Sequence, residues 1–230
     1  GGVSRRDGHT AEGNTLTITS VAPTGLNAAY GGEAKSASDV RNNHVIVEGT
    51  GSGTIANVFG GATGKADGAA EDNHVRITGG TVTNAMGGSV SGANASATGN
   101  EVTVEGGTVA NVIGAGGAGG TGNVTGNHVI IEGGTVTNVI GGGGTAASAG
   151  NMSENTVTIT GGTFGTGMDI YGGSTGGTGA ATGNTITLGA NDLAMGGVFL
   201  HGGYGAAASD VMTDNTLNVK GKNITVRGVE

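Results

Sequence analysis

The sequence predicts an all-β fold, a parallel β-helix (β-solenoid) of about eight coils, each of roughly 27–31 residues, on three observations. The pattern Asn-x-apolar-x-apolar recurs eight times. A second strand-like block ending in Gly-Gly or a close variant follows most copies. Glycine supplies 54 of the 230 residues, against one proline and no cysteine.

The first block begins at Asn14, Asn43, Asn73, Asn100, Asn127, Asn155, Asn184 and Asn215, at intervals of 29, 30, 27, 27, 28, 29 and 31. Its apolar pairs run from Leu16/Ile18 and Val45/Val47 to Leu217/Val219. Period-two alternation of β-branched residues is a strand signal. The second block reads "TIANVFGG" (54–61), "TVTNAMGG" (81–88), "TVANVIGA" (108–115) and "TVTNVIGG" (135–142), with looser copies elsewhere. The remainder of each repeat is polar or small, as in "SVSGANASAT" (89–98). Two strands per repeat, always in the same order, predict parallel pairing with the next coil about 4.8 Å away and a rod of roughly 35–40 Å. Parallel crossovers are right-handed as a rule, which predicts a right-handed coil. A helical reading fails because glycine costs about 1 kcal/mol at each helix-interior position. The repeats are also too short for four-stranded propeller blades.

The glycines invite comparison with a phosphate-cradling loop. Such a loop needs a following helix and usually a lysine, and neither is present. They are read as corners, where coils stack too closely for a Cβ or φ is positive. The whole chain is one repetitive domain: a partial coil at 1–13, seven full repeats at 14–214 and a partial coil at 215–230. The charge of −8, with charged residues at 11%, argues against nucleic acid as a partner. No apolar run approaches the roughly 18 residues that a spanning helix needs, so no membrane insertion is expected. The absence of cysteine excludes disulfides and thiolate metal sites. A chain opening on Gly1 without methionine reads as processed or as a fragment.

Each first-block asparagine shares the parity of its apolar pair, which turns it inward. Stacked amides then form a structural ladder through Asn14, Asn43, Asn73, Asn100, Asn127, Asn155, Asn184 and Asn215. Asn57, Asn84, Asn111 and Asn138, at a constant spacing of 27, predict a second ladder, also internal. The residues before the first ladder are Gly13, Asn42, Asp72, Gly99, Gly126, Glu154, Gly183 and Asp214. All but Glu154 are types that tolerate a left-handed turn, so Asp72 and Asp214 read as turn formers before calcium ligands. Asp210, four residues before Asp214, leaves a loop cation as the lesser alternative.

His44, His74, Glu101 and His128 follow the ladder asparagine and predict one outward column. Neighbours about 4.8 Å apart could chelate a divalent metal, though a solvated polar face is the expected reading. Thr15 above and Thr156, Thr185 and Thr216 below interrupt it. No cofactor is implied. Catalysis has little support, because Asp169 and Asp192 fall at different phases and basic residues are sparse. An ice-binding face would need a continuous Thr-x-Thr array, and His, Arg and Glu break it. Sequons at Asn94, Asn123, Asn151 and Asn223 are unsurprising in so Asn- and Thr-rich a chain.

The stretches "GNHVIIEGGTVTNVIGGG" (126–143) and "NTVTITGGTFGTGMDIYGG" (155–173) resemble the degenerate repeats of bacterial autotransporter-type adhesin passengers. The resemblance spans residues 14 to about 220 and rests on repeat style. It implies a secreted protein on the bacterial cell surface, a stalk, adhesin or matrix fibre that is not an enzyme, with host or matrix glycans or proteins as ligands. It transfers no functional residue. The alternative is a β-helical protein that binds or cleaves carbohydrate. The ends add an expectation. Residues 1–13 match the second half of a repeat, and the last residues run through a first block and a second strand at Ile224–Arg227. Matching phases without caps predict head-to-tail stacking of the chain on itself.

Overall fold

The computed structural model describes residues 2–4, 10–34, 38–117, 122–144, 150–206 and 210–230, and it is a parallel β-solenoid. Each coil presents three strands, one to each of three parallel sheets, where the sequence predicts two. The long sheet holds the second blocks: Leu26–Ala34, Ile55–Thr63, Thr81–Val90, Thr108–Gly117, Thr135–Gly144, Met168–Thr175 and Ala194–Gly205, with Gly2–Ser4 and Thr225–Val229 outermost. The last of these is expected from sequence at Ile224–Arg227. A short sheet follows, of two- and three-residue strands such as Val40–Arg41, Ala69–Glu71 and Ser96–Thr98. A third sheet of four-residue strands, Thr15–Ile18, His44–Val47, His74–Ile77 and so on to Thr216–Val219, carries the first blocks.

The short sheet is the correction. Its strands lie in the polar, small-residue stretch, just ahead of each ladder asparagine. One small or apolar residue is buried in each of the first seven of its eight strands: Ala11, Val40, Ala70, Ala97, Val124, Met152 and Ala181. The long strands also do not stop at the glycine pair. They bend at it and continue to residues such as Ala34, Thr63 and Val90.

Register holds column by column. Val45, Val75, Val102, Val129, Val157, Ile186 and Leu217 pair in sequence, as do Val58, Ala85, Val112 and Val139. A shift of a single residue would turn these rows out to solvent, so burial fixes the register. The interior is aliphatic and divided into two. A large cluster fills the space between the third sheet and the first half of the long sheet. A smaller one, built from Ala34, Val40, Ala70, Val90, Ala97, Val124, Met152 and Ala181, lies under the short sheet. Each fully buried valine or isoleucine contributes about 1.5–3 kcal/mol, which explains how a chain almost without aromatic residues holds together.

Candidate functional site

The boundary between the two core clusters is the first asparagine ladder. Asn43, Asn73, Asn100, Asn127, Asn155 and Asn184 are fully buried. Each Oδ1 accepts the side-chain and backbone N–H of the asparagine one coil before it. For Asn127 these bonds, from Asn100, are both 2.9 Å. Each Nδ2 donates onward to the next Oδ1 and back to a short-strand carbonyl, as Asn127 does to Asn155 at 3.0 Å and to Ala97 at 3.1 Å. The backbone partners fix which end of each amide is oxygen. From Asn14 to Asn184 one side-chain N–H of every amide therefore points toward the next coil, and from Asn43 to Asn215 every Oδ1 points toward the preceding one.

The glycine pairs exist because of this ladder. A Cβ on Gly32, Gly61, Gly88, Gly142, Gly173 or Gly203 would sit within 2.6 Å of the facing ladder amide. A Cβ on the preceding glycine would strike the carbonyl of its counterpart one coil on, at 2.6 Å for Gly60 and 2.5 Å for Gly87. The chain enters each ladder position from a left-handed residue. φ is +68° at Gly13, +52° at Asn42, +50° at Asp72, +65° at Gly99 and +63° at Gly126. It is +58° at Glu154, +65° at Gly183 and +59° at Asp214, so the turn is present in all eight coils, Glu154 included.

The second ladder also forms, on the outside. Asn84 donates to Asn57 at 2.9 Å, Asn111 to Asn84 at 2.8 Å and Asn138 to Asn111 at 3.4 Å. These side chains are half-buried on the outer surface of the long sheet, not internal as expected. The bend at Ala56, Thr83, Ala110 and Thr137 interrupts the pairing there and reverses the parity. Their donors point the opposite way, toward the preceding coil. With water able to replace a lost amide, Asn111→Ala is expected to cost about 1 kcal/mol or less by urea denaturation. A loss above about 3 kcal/mol would mean that the rung is sealed from solvent.

His44, His74, Glu101 and His128 occupy one column, in register, followed by Thr156. The His44 and His74 rings stack, with centroids 4.9 Å apart and planes within 8°. His74 Nδ1 lies 3.8 Å from a Glu101 carboxylate oxygen, and His128 Nδ1 lies 2.7 Å from the Thr156 hydroxyl. The column is thus paired off within itself. Among the described residues no three His, Asp or Glu side chains converge as a metal-holding group. EDTA is expected to leave the thermal midpoint unchanged. A fall restored by zinc would make His74, Glu101 and His128 ligands.

The column does respond to protons. The Glu101 carboxylate beside it raises the His74 pKa above its ordinary 6.5, and the His74 ring lowers that of Glu101 below 4.5. The His74 contribution is complete below its unfolded pKa and is lost as pH rises through the raised folded value. The Glu101 contribution is complete above its unfolded pKa and is lost as pH falls through the depressed folded value. The pair therefore stabilises most in the mildly acidic window between. His44 opposes this: burial, then the neighbouring His74, lower its pKa, so stability falls as acid drives a proton onto it. Glu101→Gln should lower the melting temperature more near about pH 5.5 than near about pH 8.5. Equal losses at both would remove the ion pair from the account.

One cluster escapes the sequence reading. His201, nearly buried, places Nε2 2.9 Å from Asp169 Oδ1, and its ring stacks on Tyr171 with centroids 4.8 Å apart. Tyr204 leans on both rings. Burial, then the charge of Asp169, pushes the Tyr171 hydroxyl up to about 12. Arg227 lies 4.6 Å over the Phe199 ring. Asp192 is elsewhere, an exposed left-handed residue (φ +58°) that accepts a bond from Asn223. The Asp169 and Asp192 carboxylates therefore serve separate local bonds. Compared with known protein families, curated proteins and solved structures, the chain matches none.

Proposed function

We propose that the chain is a non-enzymatic extracellular structural or adhesive protein, a surface-displayed solenoid stalk or fibre subunit whose rods stack end to end. The observation that carries this reading is the continuous inner ladder, in which every coil offers the next the same donors and acceptors. A second copy carries the same rows, so it supplies the partners that a further coil would. Adhesion would use the outer faces, where side chains change from coil to coil over a constant interior. Candidate ligands are host or matrix glycans and proteins.

Electron microscopy of concentrated protein tests the assembly. The expected result is filaments whose lengths are multiples of a single rod. Single rods alone, at every concentration, would reject end-to-end stacking. One feature favours the alternative, a β-helical protein that binds or cleaves carbohydrate. A groove of about 380 Å³ brings the Tyr30 and Phe59 rings together with Glu33, Thr63, Ser89 and Ser91. Reducing sugars released from a panel of bacterial and plant glycans would establish that alternative and remove the structural reading.

A further inference from the structure

The charged side chains of the middle coils avoid one of the three faces. The third sheet carries His44, Glu48, His74, Arg76, Glu101, Glu105, His128 and Glu132 on or beside it, with Arg76 paired to Glu105 at 2.5 and 2.7 Å. The short sheet and its turns carry Asp39, Arg41, Lys65, Asp67, Glu71 and Asp72, with Arg41 bonded to Asp39 and Glu71. By contrast, the long strands Ile55–Thr63, Thr81–Val90, Thr108–Gly117 and Thr135–Gly144 contain no charged residue at all.

What these strands present outward is regular. The residue ahead of each glycine pair forms an apolar stripe, Tyr30, Phe59, Met86, Ile113, Ile140 and Tyr171, one per coil and in register. Each is half-buried, and Tyr30 stacks on Phe59 with centroids 5.1 Å apart. Beside the stripe runs the outer asparagine ladder, whose amides are already bonded to one another. Charge returns toward the ends of the sheet, at Glu33 and at Asp169, the latter bonded to His201 at 2.9 Å.

We infer that this face pairs laterally with the same face of a second copy, holding two rods side by side. Three properties select that occupant. The chain carries −8, so two copies approach without like-charge contacts only through a face that lacks charge. Both stripes repeat at the strand spacing of about 4.8 Å, so any register that seats one residue seats them all. The charge-free part, four coils by about five residues, would bury roughly 600 Å² in total, and the flanking Tyr30 and Tyr171 coils bring this to about 1,000 Å², the lower bound for a specific contact. Dry stacking of uncharged β-faces with a common repeat is how paired sheets associate in cross-β assemblies. The contact is distinct from end-to-end growth, since it widens the rod and does not lengthen it.

The test is the oligomeric state of the full chain by sedimentation equilibrium, with electron microscopy to read width and length separately. The wild-type protein is expected to dimerise, with double-width rods and an association strengthened by salt. Ile113→Lys places like charges at the centre of both partners and should weaken the dimer at least about tenfold. Thr137→Lys, at an exposed position on the same face, should weaken it without touching the stripe. Thr103→Lys on the third sheet should leave it intact. Circular dichroism confirms that each variant folds. A wild-type protein monomeric at all concentrations, or folded Ile113→Lys and Thr137→Lys variants that dimerise as well as wild type, would overturn the inference. Filaments that lengthen at single width would retain the end-to-end reading while rejecting this one.

Discussion

Asn127→Ala is expected to destabilise the rod by at least about 3 kcal/mol, the largest effect of any single side-chain truncation outside the aliphatic core. The side chain is fully buried, accepts two N–H groups of Asn100 and donates to Asn155, Ala97 and Thr125. Truncation strands the Asn100 backbone N–H and takes one partner each from the Asn100 side-chain amide, the Asn155 Oδ1 and the Ala97 carbonyl. Groups buried without partners cost about 1–3 kcal/mol each, and relaxation recovers only part of that. Two core clusters also meet at this point, so the void opens onto both. Urea titration of the variant beside Asn111→Ala separates the ladders, since the outer rung is wet and the inner one dry. A loss below about 1 kcal/mol for Asn127→Ala would show that the inner amides contribute little beyond filling space.

Gly87→Ala is expected to cost about 2–4 kcal/mol, more than overpacking by one methyl usually does. The added Cβ would lie 2.5 Å from the Gly114 carbonyl oxygen and 3.0 Å from both Asn100 Cβ and the Glu101 nitrogen. Two of these are backbone atoms held by the sheets, so no side chain can swing away. The neighbouring slot is more forgiving. Ala115 occupies it in one coil and is fully buried, so Gly88→Ala should be milder than Gly87→Ala. The reverse ranking in thermal melts would place the tight contact on the amide side of the corner.

Much of this architecture is legible in the residues. The spacing of Asn14 to Asn215 and the parity of Val45 and Val47 lead directly to parallel columns and a buried ladder, because burial enforces both period and register. The short sheet is not legible, since a strand with one inward residue, such as Ala70 or Val124, has no period to detect. The inward reading misplaces Asn57 and Asn111 because the bend between Ile55 and Asn57 sets two successive residues outward. Glu154 adopts φ +58° without the residue type that signals it; the coils on either side hold its backbone, with its N–H on the Thr182 carbonyl. The Asp169–His201 pair escapes because it runs diagonally, Asp169 standing opposite Phe199 and His201 opposite Tyr171. Counting residues from coil to coil finds columns and misses diagonals.

Every inner-ladder bond runs from an N–H to the Oδ1 of the following coil, so the amide dipoles add along the axis and the rod is an arrow with unlike ends. The outer ladder points backward and cancels part of that field only between Asn57 and Asn138. Two such arrows can continue each other tip to tail, donor meeting acceptor. Joined tip to tip they would set donor against donor. Any filament grown along this axis must therefore be unidirectional, with a fast and a slow end, whereas rods lying side by side remain free to run the same way or opposite ways.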